Sequence, residues 1–148
     1  MCIRDRQVNV LSHYSYISAL AYDIADGLDN LVHTGNLSIM LNDRNQHWLA
    51  VNVTRDNNTI YWQFGDSAYG DRSGATIQRA IQHAIHIYNL RRIGGYSQQG
   101  HETLLLGQRR PFNIRAGDTQ DNADRVNECA VYAWIYLTNM RQGMRDSA

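Results

Sequence analysis

The chain has 148 residues, of which 43% are hydrophobic, with fourteen basic and fourteen acidic side chains and a formal net charge of zero. A chain of this length is expected to form one domain, and it can bury an adequate apolar core without disulfides or metals. The balanced charge excludes the strongly basic surface of a general nucleic-acid or membrane-surface binder. All fourteen basic residues are arginines, which excludes Schiff-base catalysis by a lysine side chain.

Two cysteines, Cys2 and Cys129, are too few for a disulfide framework, and no apolar run has the length of a signal-peptide core or a membrane span. We therefore expect a cytoplasmic location, either in the producing cell or in a host cell. Residues 1–6 (MCIRDR) are interpreted as a non-native leader, and residues 7–148 as a single domain.

The first half of the domain is predicted to contain one helix and three strands. Apolar residues recur at helical spacing in 14–32, which predicts an amphipathic helix. The apolar run 37–41 predicts a short strand, followed by a break at 42–45. An antiparallel hairpin is the clearest element: it has strands at 47–54 and 59–64 and a turn at 56–58. It begins with His47, and its second strand leads into Gly65, Asp66 and Ser67.

The second half is predicted to contain two helices. Residues 73–92 have apolar positions at helical spacing, and arginines occupy the last turn. A short strand is predicted at 104–106, and 109–122 is expected to be irregular or to carry one more strand. Residues 128–140 are apolar nearly all round, which predicts a buried central helix. Cys129 falls in its first turn, where the helix dipole favours a thiolate.

Three residues have the chemistry of a thiol-based catalytic triad. A nucleophilic cysteine needs an imidazole to take its proton, and the imidazole needs a carboxylate or an amide to orient it. His47 begins a predicted strand, Asp66 follows the end of the neighbouring strand, and Cys129 begins a predicted helix. The ends of packed elements are rigid mounts, so these residues are candidates for one site.

The same segments resemble a known family. The sequence reads QHWLAV from Gln46, TIYWQFGDS from Thr59, and NECAVY from Asn127, with Gln120 upstream of the cysteine. This order and spacing resemble the ubiquitin-like-protein protease superfamily, the adenain-like cysteine peptidases that include SUMO proteases and related bacterial effectors. The resemblance extends over residues 37–140.

The resemblance implies an α+β, papain-like cysteine protease fold with a central antiparallel or mixed sheet and a buried helix that carries the nucleophile. It implies Cys129 as nucleophile, His47 as general base, Asp66 as the residue that orients it and Gln120 as an oxyanion donor. Trp48 would line the channel for a Gly-Gly tail. The implied partner is a ubiquitin-like protein or its conjugate, with no nucleic acid, membrane, metal or cofactor.

The sequence departs from the family pattern at several positions. Glu128 stands where the family usually has Asp, and Ala130 replaces the Gly that follows the nucleophile. Gln120 lies nine positions before Cys129, a few more than usual, and Asn122 is the nearest substitute for it. A second, upstream channel Trp has no match, so either the substrate tunnel differs or the N-terminus is truncated.

Other interpretations of these residues stay open. The same triad serves acetyltransfer from acetyl-CoA in effector relatives, and a catalytically inactive fold of this type would bind a protein partner. Taken singly, Cys129 is typical of core packing, His47 of a half-buried strand histidine and Asp66 of a turn or cap. His83 and His86 have a metal-binding spacing without a third ligand nearby, which favours solvated helix histidines.

Overall fold

The computed structural model describes residues 8–14, 17–31, 34–43, 47–67, 74–93, 103–112 and 129–147. Within them, five strands and three helices form an α+β arrangement, the fold class that the sequence predicts. In chain order the elements are β1 (Val8–Tyr14), α1 (Ile17–Asp29), β2 (Thr34–Asp43), β3 (His47–Asp56), β4 (Thr59–Gly65), α2 (Gly74–Arg91), β5 (Leu105–Arg109) and α3 (Cys129–Ser147).

The strands form one mixed sheet in the order β1-β2-β3-β4-β5. The two outer pairs, β1 with β2 and β4 with β5, are parallel, whereas β2, β3 and β4 are antiparallel to their neighbours. The β3–β4 hairpin closes through Asn57, whose φ of 52° lies in the left-handed region that asparagine tolerates better than most residues. The predicted hairpin is therefore confirmed.

Helices α1 and α2 cover one face of the sheet. Leu49, Val51 and Val53 of β3 are buried against them, because alternate residues of a strand point to the same face. From β4 the buried side chains are Ile60, Trp62 and Phe64, and from the helices they include Leu20, Ala21, Ile24, Leu28, Ile77, Ile81, Ala84 and Tyr88. We call this cluster the first core.

The C-terminal ends of α1 and α2 are joined by ion pairs. Arg91 donates to Asp26 and Asp29 at 2.9 and 2.8 Å, and Arg92 donates to Asp29 at 3.0 Å. The Arg92 guanidinium also lies 4.2 Å from the ring centre of Tyr88. Arg91, in the last turn of α2, also complements the helix dipole, and the ion pairs link the ends of the two helices.

Helix α3 packs against the other face of the sheet. Its buried side chains pack with Met40 of β2 and Ala50 of β3. The helix contributes Tyr132, Ala133, Tyr136, Leu137 and Met140. We call this cluster the second core. The prediction of a helix buried all round is wrong, because α3 lies on the outside of the sheet and turns only one side to it. Val131, on the outer side, is 51% exposed.

Several predicted boundaries also need correction. Strand β1 was not predicted, and Tyr14 belongs to it rather than to the helix, because it pairs with Asp43 across the sheet. Tertiary pairing of this kind overrides local helical spacing. Asn42 and Asp43, expected in a break, extend β2 and pair with Trp48 and His47. Helix α3 continues to Ser147 rather than ending at 140.

Within the part of the chain that the structure describes, no helix is both long and apolar enough to cross a bilayer.

We predict that Asn89→Ala destabilises the fold. The Asn89 amide donates to the Leu104 carbonyl at 3.0 Å, and its oxygen accepts from the Leu104 N–H at 2.8 Å. Leu104 is buried, so losing both bonds leaves backbone groups unsatisfied at a cost of about 1–3 kcal/mol. Urea unfolding measures the difference. Gln82→Ala, exposed on the same helix, should stay within about 0.5 kcal/mol of the parent; an equal loss in both variants would contradict the role of Asn89.

We predict that Asp23→Asn stabilises the protein slightly at neutral pH. Burial, and secondarily the charge of Asp26, raise the pKa of Asp23 above its usual value. A raised carboxyl pKa penalises folding at pH above the folded-state pKa, and the penalty disappears as pH falls and the group is protonated. The gain in stability, at most about 0.5 kcal/mol, should be present at pH 7 and vanish near pH 3 in thermal melts. A gain independent of pH would contradict this cause.

Candidate active site

The backbone register brings His47 and Asp66 to the same end of the sheet. His47 is the first residue of β3 and pairs with Asp43 of β2. Three residues further along β3, Ala50 pairs with Gly65, the last residue of β4. Asp66 follows Gly65 directly, so the chain leaves β4 at the end where β3 begins. The sequence alone predicted this proximity from the hairpin.

Asp66 and Ser67 are both buried, with exposures of 2% and 4%. Burying a carboxylate is costly unless it is hydrogen-bonded or paired with a charge. Asp66 follows the last residue of β4, yet it is shielded from solvent, unlike a residue in an exposed turn. Ser67 lies in a turn, so the interpretation of Asp66 as a turn or cap residue requires a partner for its carboxylate within the fold.

Cys129 is the first residue of α3, as the sequence predicts. Helix α3 packs mainly against β3 and to a lesser extent against β2. The strand that begins with His47 is thus the principal support of the helix that begins with Cys129. The amides of the first helical turn and the helix dipole stabilise a thiolate at such a position.

The chain neighbours of all three residues contact one apolar cluster. Trp48, next to His47, and Ala130, next to Cys129, are half-buried and pack against the second core. Gly65, next to Asp66, packs against the ring of Tyr136, which belongs to that core. The second core therefore connects the three segments on which the candidate residues lie.

Close packing at Gly65 was not predicted from the sequence. A Cβ at this position would lie 2.7 Å from Tyr136 Cδ2 and 3.0 Å from Phe112 Cε1. The rings of Phe112 and Tyr136 meet edge to face with centroids 5.5 Å apart. No local signal could have identified this contact, since the three residues are distant in sequence; the glycine at a strand end was the only hint.

The predicted oxyanion donor Gln120 and its substitute Asn122 lie outside the described residues, as does Glu128. His83 and His86 are exposed on α2, as expected for solvated histidines. Within the described part of the chain, no group of three histidine, cysteine or acidic residues could hold a metal ion.

Two arginines near β5 contact aromatic rings. Arg109 ends β5 and lies 4.2 Å from the ring centre of Phe64, and Arg110 lies 4.5 Å from that of Tyr61. These cation–π contacts hold both guanidinium groups against β4.

Comparisons of the chain with protein-family models, with curated proteins and with solved structures give no match.

Proposed function

We propose that the protein is a cysteine peptidase that cleaves after the C-terminal Gly-Gly tail of a ubiquitin-like protein, with Cys129, His47 and Asp66 as its triad. One observation carries the proposal: the chain neighbours of these three residues, Trp48, Gly65 and Ala130, all contact the second core. The residue types, their order and their attachment to one cluster are those a papain-like site requires.

In the proposed reaction the Cys129 thiolate attacks the carbonyl carbon of the last glycine. The resulting oxyanion accepts hydrogen bonds from the Cys129 amide and, as we propose, from Gln120. The carbon–nitrogen bond then breaks while protonated His47 gives its proton to the leaving amine. Water, which gives a proton to His47, then attacks the thioester carbonyl and the carbon–sulfur bond breaks. The product acid leaves and loses its proton to solvent, and the Cys129 thiolate and protonated His47 are restored. Asp66 orients the imidazole and stabilises its charged form.

Ala130 stands where related peptidases have Gly, and its added methyl group is the main objection to activity. Ala130 is half-buried and packs against the second core. Its methyl group is thus accommodated by apolar side chains of the fold. This packing favours an active enzyme over an inactive module that only binds a partner.

Trp48 is the proposed wall of the substrate channel. It is half-buried and packs against the second core, which holds it in place. A Gly-Gly tail has no side chains, and a narrow aromatic channel selects it by excluding bulkier residues. The substrate would bind in an extended conformation beside this ring.

We predict that Cys129 has a depressed thiol pKa that depends on His47. In a Cys2→Ser background, Cys129 is the single thiol of the chain. The rate of iodoacetamide alkylation should follow thiolate formation with an inflection well below 8.5, the value of a free thiol, and His47→Ala should raise the inflection to about 8.5. His83→Ala, which removes an exposed histidine of α2, is the matched control and should leave the profile unchanged.

An inflection near 8.5 in the parent protein would contradict the ion pair and with it the triad. An equal shift in the His47 and His83 variants would assign the effect to general destabilisation.

We predict that an electrophilic vinyl-sulfone probe built on ubiquitin or SUMO labels Cys129. Cys129→Ala should abolish labelling, and Asp66→Asn should slow it about 10²-fold or more, since acid–base assistance supplies about 10²–10⁴-fold. Asp56→Asn, an exposed residue at the opposite end of the hairpin, should label at the parental rate. Labelling that persists in Cys129→Ala would contradict the proposal. Transfer of radiolabel from acetyl-CoA to Cys129, without probe labelling, would indicate an acetyltransferase instead.

A further inference from the structure

Gly65, the last residue of β4, lies close to helix α3. The backbone of Gly65 lies so near the ring of Tyr136 that a Cβ would come within 2.7 Å of it, closer than carbon atoms pack. The same Cβ would lie 3.0 Å from Cε1 of Phe112. Only a residue without a side chain allows the helix to lie at this distance from the strand.

The Tyr136 ring has little freedom to move away. It is 1% exposed and is enclosed by the rings of Phe112 and Tyr132, with centroids 5.5 and 6.3 Å distant. Protein interiors are close-packed, so a displacement of this ring is transmitted to its surroundings. A change in the Gly65–Tyr136 distance must therefore move α3 relative to β4.

We infer that Gly65, Tyr136 and Phe112 form a positioning contact that sets the distance between the helix bearing Cys129 and the strand end bearing Asp66. The inference rests on the proposed function. Gly65 is joined directly to Asp66, and Tyr136 lies seven residues, or about 10 Å along a rigid helix, from Cys129. The contact thus acts on both residues through short, stiff connections, and these three are positioning residues rather than catalytic ones.

The test is the pH profile of Cys129 alkylation in the Cys2→Ser background. The pKa of a thiol in a thiolate–imidazolium pair depends on the distance between the two groups, whereas a measurement of global stability does not reveal that distance. Gly65→Ala should push α3 away from β4 and raise the inflection toward 8.5. At pH 6.5 the alkylation rate should then fall about tenfold or more. Circular dichroism confirms that the variant is folded.

Gly107→Ala is the matched control. A Cβ at Gly107 would lie 2.8 Å from both Thr59 and Tyr61, at the other end of β4, so it crowds the sheet equally without contacting α3. Its alkylation profile should match that of the parent. An equal shift in the Gly65 and Gly107 variants would overturn the inference, since crowding in general would then explain it.

A second set of variants examines the helix side of the contact and decides the outcome if Gly65→Ala fails to fold. Tyr136→Ala should raise the inflection, whereas Tyr136→Phe, which keeps the ring, should restore the parental profile. Met140→Ala removes another buried side chain of α3, one turn further along the helix, and should leave the alkylation profile unchanged.

Different results would overturn the proposed function and the proposed positioning contact. A parent inflection near 8.5 would overturn the proposed function itself. A depressed parent inflection that is unchanged in folded Gly65→Ala, or in Tyr136→Ala where the glycine variant does not fold, would overturn the positioning contact and leave the triad standing.

Discussion

The register of the β3–β4 hairpin is the constraint on which the rest of the structure depends. With Ala50 paired to Gly65, Leu49, Val51 and Val53 enter the first core while Ala50 supports α3 on the opposite face. Because side chains alternate strictly along a strand, a slip of one residue would exchange the two faces. Both cores would be lost, and Asp66 would no longer follow the residue that contacts the helix.

The two ends of β3 bury polar groups in different ways. At the turn end, the Arg55 side chain is 95% buried, donates to the Asn57 carbonyl at 2.8 Å and the Tyr88 hydroxyl at 3.3 Å, and lies 5.8 Å from the Tyr88 ring centre. These contacts join the hairpin to α2 and stabilise the fold. At the opposite end, Asp66 and Ser67 are buried directly after β4, near the beginning of β3. A carboxylate buried to this extent needs a hydrogen-bond or charge partner, because burying an unpaired carboxylate is costly.

The sequence predicted those parts of the fold that local patterns determine. The hairpin, the buried positions of α1 and α2, and the start of α3 at Cys129 follow from alternation, helical spacing and end signals. Strand β1 was missed because its assignment depends on parallel pairing with β2, which no local pattern encodes. The candidate triad was predicted because its members lie at element ends, whereas the Gly65–Tyr136 contact joins positions 71 residues apart and became visible only with the fold.

The absence of lysine acquires a chemical meaning if Cys129 forms an acyl-enzyme. A thioester between Cys129 and the tail of a ubiquitin-like protein can be opened by water or by an amine. Lysine side chains near such a site are amine acceptors, and attack by one of them would attach the substrate to the enzyme. All fourteen basic residues are arginines, whose guanidinium groups stay protonated and are not nucleophilic, so no side chain of this sequence offers that route. The arginines still supply positive charge for ion pairs such as Arg91 with Asp26, and in the proposed reaction water would have no side-chain amine as a competitor.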